Sequence, residues 1–168
     1  NAAGVVSVFK NTSVAGTITL NARADYGSGG YTWDVATADM DGDGKPELIS
    51  SNSGPNTVSV FRNTSTAAIS FAAKVDFSTT SSPRGIAIGH LDADGKPDIV
   101  TANWFSSSEA CVLKNTSVSG TLSFNAYVRF ATQTGAGNAV IADFSGDGLS
   151  DIITANSQSG TITYLRNQ

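Results

Sequence analysis

The sequence predicts an all-β fold of repeated four-stranded antiparallel sheets, and three observations predict it. The first is composition. Only 14% of the residues are charged, against roughly 25% in ordinary soluble domains, and Ser, Thr and 17 Gly fill the polar quota. β-branched Thr, Val and Ile favour strands, and Gly marks turns. The second is an internal repeat. The phrases 8-VFKNTS-13, 60-VFRNTS-65, 112-VLKNTS-117 and 164-YLRNQ-168 place Asn11, Asn63, Asn115 and Asn167 at intervals of 52 residues. The third is that no long stretch carries the periodic Ala/Glu/Lys/Leu pattern of a helix.

Each period reads as four short strands. The first enters an acidic stretch: 34-DVATADM-40, 85-GIAIGHL-91 and 138-NAVIADF-144. The second leaves it: 47-ELISSN-52, 98-DIVTAN-103 and 151-DIITAN-156. Both are nearly continuous in apolar and small residues, as strands covered on two faces should be. The third is 57-TVSVFRN-63 and its kin. The fourth is 68-AISFAAKVDF-77, with 121-TLSFNAYVRF-130 and 17-TITLNARADY-26 as its copies. These last two alternate more, as outer strands would.

A four-stranded meander recurring every 40–50 residues is the sequence form of a propeller blade. One blade cannot bury both faces, so blades stack. Residues 1–168 read as a single repeat domain of three periods plus a spare strand, since the chain opens and closes on a third strand. Three blades are too few for a ring. The expectation is therefore a fragment of a longer array, or a ring closed by self-association of two copies.

The net charge of −4 and the scattered basic residues argue against a nucleic-acid-binding face. No apolar run reaches the roughly 18–20 residues of a membrane span, which argues against membrane insertion. Cys111 stands alone and has no partner for an internal disulfide. The chain begins at Asn1, so a leader was removed or the chain is a piece of something longer. The sparse Lys and the Ser/Thr/Asn-rich character point to an extracellular protein of bacterial type.

The acidic hairpins, 39–47, 90–98 and 143–151, carry the chemistry. Positions 1, 3, 5 and 9 hold Asp39, Asp41, Asp43 and Glu47 in the first. They hold His90, Asp92, Asp94 and Asp98 in the second, and Asp143, Ser145, Asp147 and Asp151 in the third. Position 7, which offers a backbone carbonyl, is Lys45, Lys96 or Leu149, and position 6 is always glycine. Alternating oxygens on a tight coil suit Ca²⁺, which takes six to eight hard ligands. A catalytic acid pair and a solvated turn are the competing readings. An EF-hand is excluded, because position 12 is Ser50, Thr101 or Thr154 and the flanks read as strands.

The phrases 39-DMDGDGKPE-47, 90-HLDADGKPD-98 and 143-DFSGDGLSD-151 resemble the D-x-D-x-D-G-x-x-D hairpins of FG-GAP (VCBS) repeats, the blades of integrin-α-like β-propellers. The resemblance covers residues 5–168. It implies one Ca²⁺ per hairpin, held by positions 1, 3, 5 and 9 and the carbonyl at 7, up to three sites in all. Glu47 in place of Asp is a mild departure. His90 replaces an anionic oxygen with imidazole and implies a weaker second site. The resemblance also implies a non-catalytic module of a secreted or surface protein that presents loops to a protein or glycan partner. Its alternatives are the scaffold of a polysaccharide-active enzyme and a purely architectural spacer.

His90 is the only histidine, so a Ser-His-Asp centre would have to use a residue already in a metal slot. Trp33, Trp104 and Phe105 are the candidates for ligand contact, because aromatic groups near loops stack on sugars or anchor partners. The 11-NTS-13, 63-NTS-65 and 115-NTS-117 sequons fall in register with the repeat, which favours a turn role for them.

Overall fold

The computed structural model describes residues 4–105 and 108–168. Strands β1 (Val5–Val8) and β2 (Ala24–Gly27) form a pair. β3 (Thr32–Ala38), β4 (Glu47–Asn52), β5 (Thr57–Phe61) and β6 (Val75–Ser78) form the first full blade. β7 (Pro83–Gly89), β8 (Asp98–Asn103), β9 (Glu109–Leu113) and β10 (Val128–Ala131) form the second. β11 (Ala136–Ala142), β12 (Asp151–Asn156) and β13 (Thr161–Leu165) form a third sheet of three strands. All pairings are antiparallel. This is the meander expected, and the sheets do not close into a barrel.

The core lies between sheets rather than inside any of them. Met40, Ile49, Val58 and Val60 of the first blade meet Ile86, Ile99 and Leu113 of the second. Val100, Ala102 and Ala110 of the second meet Ala136, Ala139 and Ile152 of the third. Val6 of the leading pair packs on Leu48 and Phe61. Each sheet needs its neighbour to be dry, as stacked repeats do.

The burial order differs from the expectation. β4 and β8 are buried at every position, as expected of second strands. The third strands β5 and β9 are also largely buried, because adjacent blades cover both their faces. The first strand β3 alternates instead, with Trp33 and Val35 exposed. It faces the side on which β1 and β2 supply only an outer pair. The fourth strand is shorter than predicted. Val60 pairs with Val75, but three residues on, Asn63 pairs with Phe71, four residues back. The extra residue breaks the ladder, so 68–74 returns as an irregular arm and only Val75–Ser78 is regular strand.

Glycine permits a close approach between blades. A Cβ on Gly85 of β7 would lie 2.6 Å from Asn138 Cα and 2.8 Å from the Gly137 carbonyl oxygen on β11. Only a residue without a side chain lets these two innermost strands touch.

Candidate metal centre and aromatic cleft

The acidic hairpins join β3 to β4, β7 to β8 and β11 to β12. In the first, Asp39 organises the coil. Its Oδ1 accepts the amides of Gly42 (2.8 Å) and Asp43 (3.1 Å), and its Oδ2 accepts that of Gly44 (2.8 Å). Asp43 accepts the amide of Lys45. Gly44 has φ +86°, a left-handed value that costs other residues strain. Asp41 reaches across blades to accept the Gly120 amide at 2.9 Å. Asp39, Asp41 and Asp43 bring one oxygen each within 4.8 Å of one another. Arg62, just before Asn63, makes no ion pair with them among the described residues; its NH1 lies toward Gly120. Three carboxylates this close with no cationic side chain among them are a donor set that fits a divalent ion.

The third hairpin repeats the geometry. Asp143 accepts the amides of Gly146, Asp147 and Gly148, and Asp147 accepts that of Leu149. Here Arg166, the counterpart of Arg62, pairs with Asp147 at 3.1 Å. Ser145 stands where the first hairpin has Asp41, so the set carries less charge.

The second hairpin does not fit an ion in the same way. His90 cannot accept amides as a carboxylate does, and position 4 is Ala93 instead of a glycine with positive φ. Lys114, the counterpart of Arg62 and Arg166, pairs with Asp92 at 2.5 Å and Asp94 at 3.4 Å. Its ammonium holds the Asp92 carboxyl below the usual range, and the carboxylates raise Lys114 in turn. A side-chain cation occupies the space between the two acids. Two acids of the expected second ligand set are thus already paired with an ammonium. Lys96, expected to lend its carbonyl, turns its Nζ to the Ser117 carbonyl at 2.7 Å. His90 is exposed and faces a 440 Å³ cleft shared with Asp39 and Asp41.

Position 9 also holds the backbone. Glu47 is fully buried; its Oε2 accepts the Met40 amide at 2.8 Å and its Oε1 that of Asn63 at 3.1 Å. Asp98 does the same with Leu91 and Asn115, and Asp151 with Phe144 and Asn167. Burial pushes the Glu47 and Asp98 carboxyls up, and these amides oppose the shift. Glu47 does not join the 4.8 Å group. These carboxylates lock the hairpin base to the end of the third strand.

The repeated Asn does more than turn the chain. Asn11, Asn63 and Asn115 accept the amides of Ser13, Ser65 and Ser117 at 2.8–2.9 Å, the expected turn. In addition, Asn115 donates to the Pro97 carbonyl of its own blade and to the Met40 carbonyl of the preceding one. Asn167 donates likewise to Ser150 and Leu91. The repeat register was the only sequence signal for this clasp.

The aromatic candidates divide. Trp33 and Trp104 converge on Arg84, whose guanidinium carbon lies 4.0 Å and 3.8 Å from their ring centroids. With Asp34, Gly85, Gly137 and Asn138 they line a 320 Å³ cleft. Phe105 is exposed and lies outside that cleft. Arg84 was not foreseen. Cys111 is fully buried, and burial pushes its thiol up, which makes it a packing residue.

No helix among the described residues is long and apolar enough to cross a membrane. No curated protein matches the chain. The FG-GAP-like repeat family matches twice, over residues 39–101 and 90–154, and each match runs from one acidic hairpin through the next. The chain belongs to the FG-GAP-like repeat family.

Proposed function

We propose that the chain is a calcium-stabilised, non-catalytic propeller module that presents its loops to an extracellular protein or glycan. One observation carries the reading: Asp39, Asp41 and Asp43 converge within 4.8 Å with no cationic side chain among them. The ion would be held there with the Lys45 carbonyl, and in the third hairpin by Asp143, Ser145 and Asp147 with the Leu149 carbonyl. It would offset the repulsion of the acids and fix the turn between the two innermost strands. FG-GAP-like repeats often bind calcium, are generally non-catalytic and are typically extracellular, which supports the same reading. Apolar side chains on the end faces, Val35 on one side and Val140 and Phe144 on the other, suit a cover of further blades, from more repeats or a second copy.

Extracellular modules bind Ca²⁺ with Kd on the order of 10⁻⁴–10⁻³ M. At ~1 mM ion and a Kd of ~0.1 mM, each site would add about 1.4 kcal/mol of stability. Thermal melts in chelator and in calcium test this. A lower Tm in chelator is expected, restored by Ca²⁺ more fully than by Mg²⁺. Identical melts would sink the reading.

A further inference from the structure

The second residues of the three innermost strands β3, β7 and β11 are Trp33, Arg84 and Gly137. They stand side by side as a ring, a cation and a gap. Trp104, which follows β8, fills part of the gap: a Cβ on Gly137 would lie 3.0 Å from its Cζ3. The Trp33 indole and the Trp104 backbone are anchored. Trp33 Nε1 donates to Ser53 Oγ at 2.8 Å, and the Trp104 amide donates to the Ser82 carbonyl at 3.0 Å. The Arg84 guanidinium carbon lies over both rings, at 4.0 Å and 3.8 Å from their centroids. Among the described residues its N–H groups have no carboxylate and no hydrogen-bond partner; burial alone shifts it, downward. A staple between blades needs the stacked faces. It does not need five free donors aimed at an open cleft.

We propose that this cleft binds an acidic saccharide, with Arg84 receiving the carboxylate of a uronic acid residue. A planar guanidinium matches a carboxylate with two parallel hydrogen bonds, and stacking keeps the fork in one orientation. The neighbours specify the rest of the ligand. Asp34 accepts the Val35 and Ile86 amides and has only acceptor capacity left, so it calls for hydroxyl donors and repels a second carboxylate. Asn138 Oδ1 is engaged by the Ala139 amide, which leaves its NH₂ for a hydroxyl oxygen. The exposed indole of Trp33 offers a surface for the C–H face of a sugar ring. One anionic group among several hydroxyls fits this set better than an acidic peptide does. The cleft's 320 Å³ lies at the small end of the ~300–1,000 Å³ of ligand sites, the scale of a sugar unit or two.

This inference rests on the reading of the chain as a binding module. Both tryptophans of the sequence flank Arg84, so their emission reports on this site and no other. The test titrates the whole chain, at fixed free calcium, with galacturonate trimer, neutral galactose trimer and glutamate tripeptide. A saturable emission change with the uronate is expected, with at least about tenfold weaker binding of the neutral trimer, the scale of one charge-assisted hydrogen bond. Arg84→Gln should lose about tenfold or more, and Arg84→Lys most of that, because Lys cannot present the planar fork. Equal binding of the neutral trimer would overturn the assignment, and so would tighter binding of the peptide. Silence with all three probes would leave Arg84 a staple and overturn it as well. Should Arg84→Gln not fold, the three-probe comparison on the unaltered chain and the exposed Asn138→Ala variant decide. The two readings fail separately. Calcium-insensitive melts with intact uronate binding would sink the calcium reading alone, and calcium-sensitive melts with silent emission would sink this one alone.

Discussion

Asn115 makes three contacts with one side chain: it accepts the Ser117 amide and donates to Pro97 and Met40. It is fully buried, so truncation strands two carbonyls and an amide away from water. Asn115→Ala should cost about 1–3 kcal/mol in urea denaturation. Asn11→Ala at the exposed equivalent position should cost about 0.5 kcal/mol or less. Equal losses would show that the local turn, and not the clasp to the preceding blade, is what matters. The sequence made the turn legible, because Asn-x-Ser at a strand exit is a local signal. The second contact was not legible. It joins residues 75 apart, and no residue's neighbours in the chain announce it.

The three acidic hairpins share spacing but not electrostatics. The basic residue before the clasp Asn makes no ion pair with the first hairpin as Arg62, pairs with two acids of the second as Lys114 and with one acid of the third as Arg166. Equilibrium dialysis should therefore find two calcium ions per chain. The His90→Asp/Lys114→Gln double variant, which restores the organising carboxylate and removes the internal ammonium, should bind a third. An unchanged count in that variant would contradict the role given to Lys114. Spacing showed where oxygens could gather, and the carboxylates at positions 1, 3 and 5 of the first hairpin do gather. It could not show that position 9 also accepts backbone amides, since that depends on where the third strand ends. Between blades, the backbones approach closely at Gly85. Gly85→Val places side-chain atoms where Asn138 and Gly137 stand and should cost about 1–3 kcal/mol, read as a lower urea midpoint. A midpoint unchanged from the parent would mean that β7 and β11 can part at little cost.

For the molecule as a whole, acid should act in two opposite steps. Glu47 and Asp98 have folded values raised above the ordinary range, chiefly by burial, so the folded chain takes up their protons first. Calcium-free stability should rise as pH falls toward the ordinary carboxylate range from above. Asp92 is held low by Lys114, and Asp147 by the Leu149 amide and then by Arg166. Their contribution is present above the ordinary range and is lost as pH falls below it. Urea midpoints of calcium-free protein should thus peak in the ordinary carboxylate range, about pH 4, with lower values on either side. A midpoint that climbs steadily from acid to neutral pH would contradict the burial of Glu47 and Asp98 as acids. The propeller architecture was legible at this scale because a repeat is written as many times as it occurs. The burial order was not, because it depends on which blades flank a given strand. The clasp has one more consequence. Asn115 fastens the turn of the repeat before its own, and Asn167 does so again one period later. A copied period therefore arrives with its own fastener and a socket for the next. Such a gene segment can lengthen by whole-unit duplication without inventing a new joint.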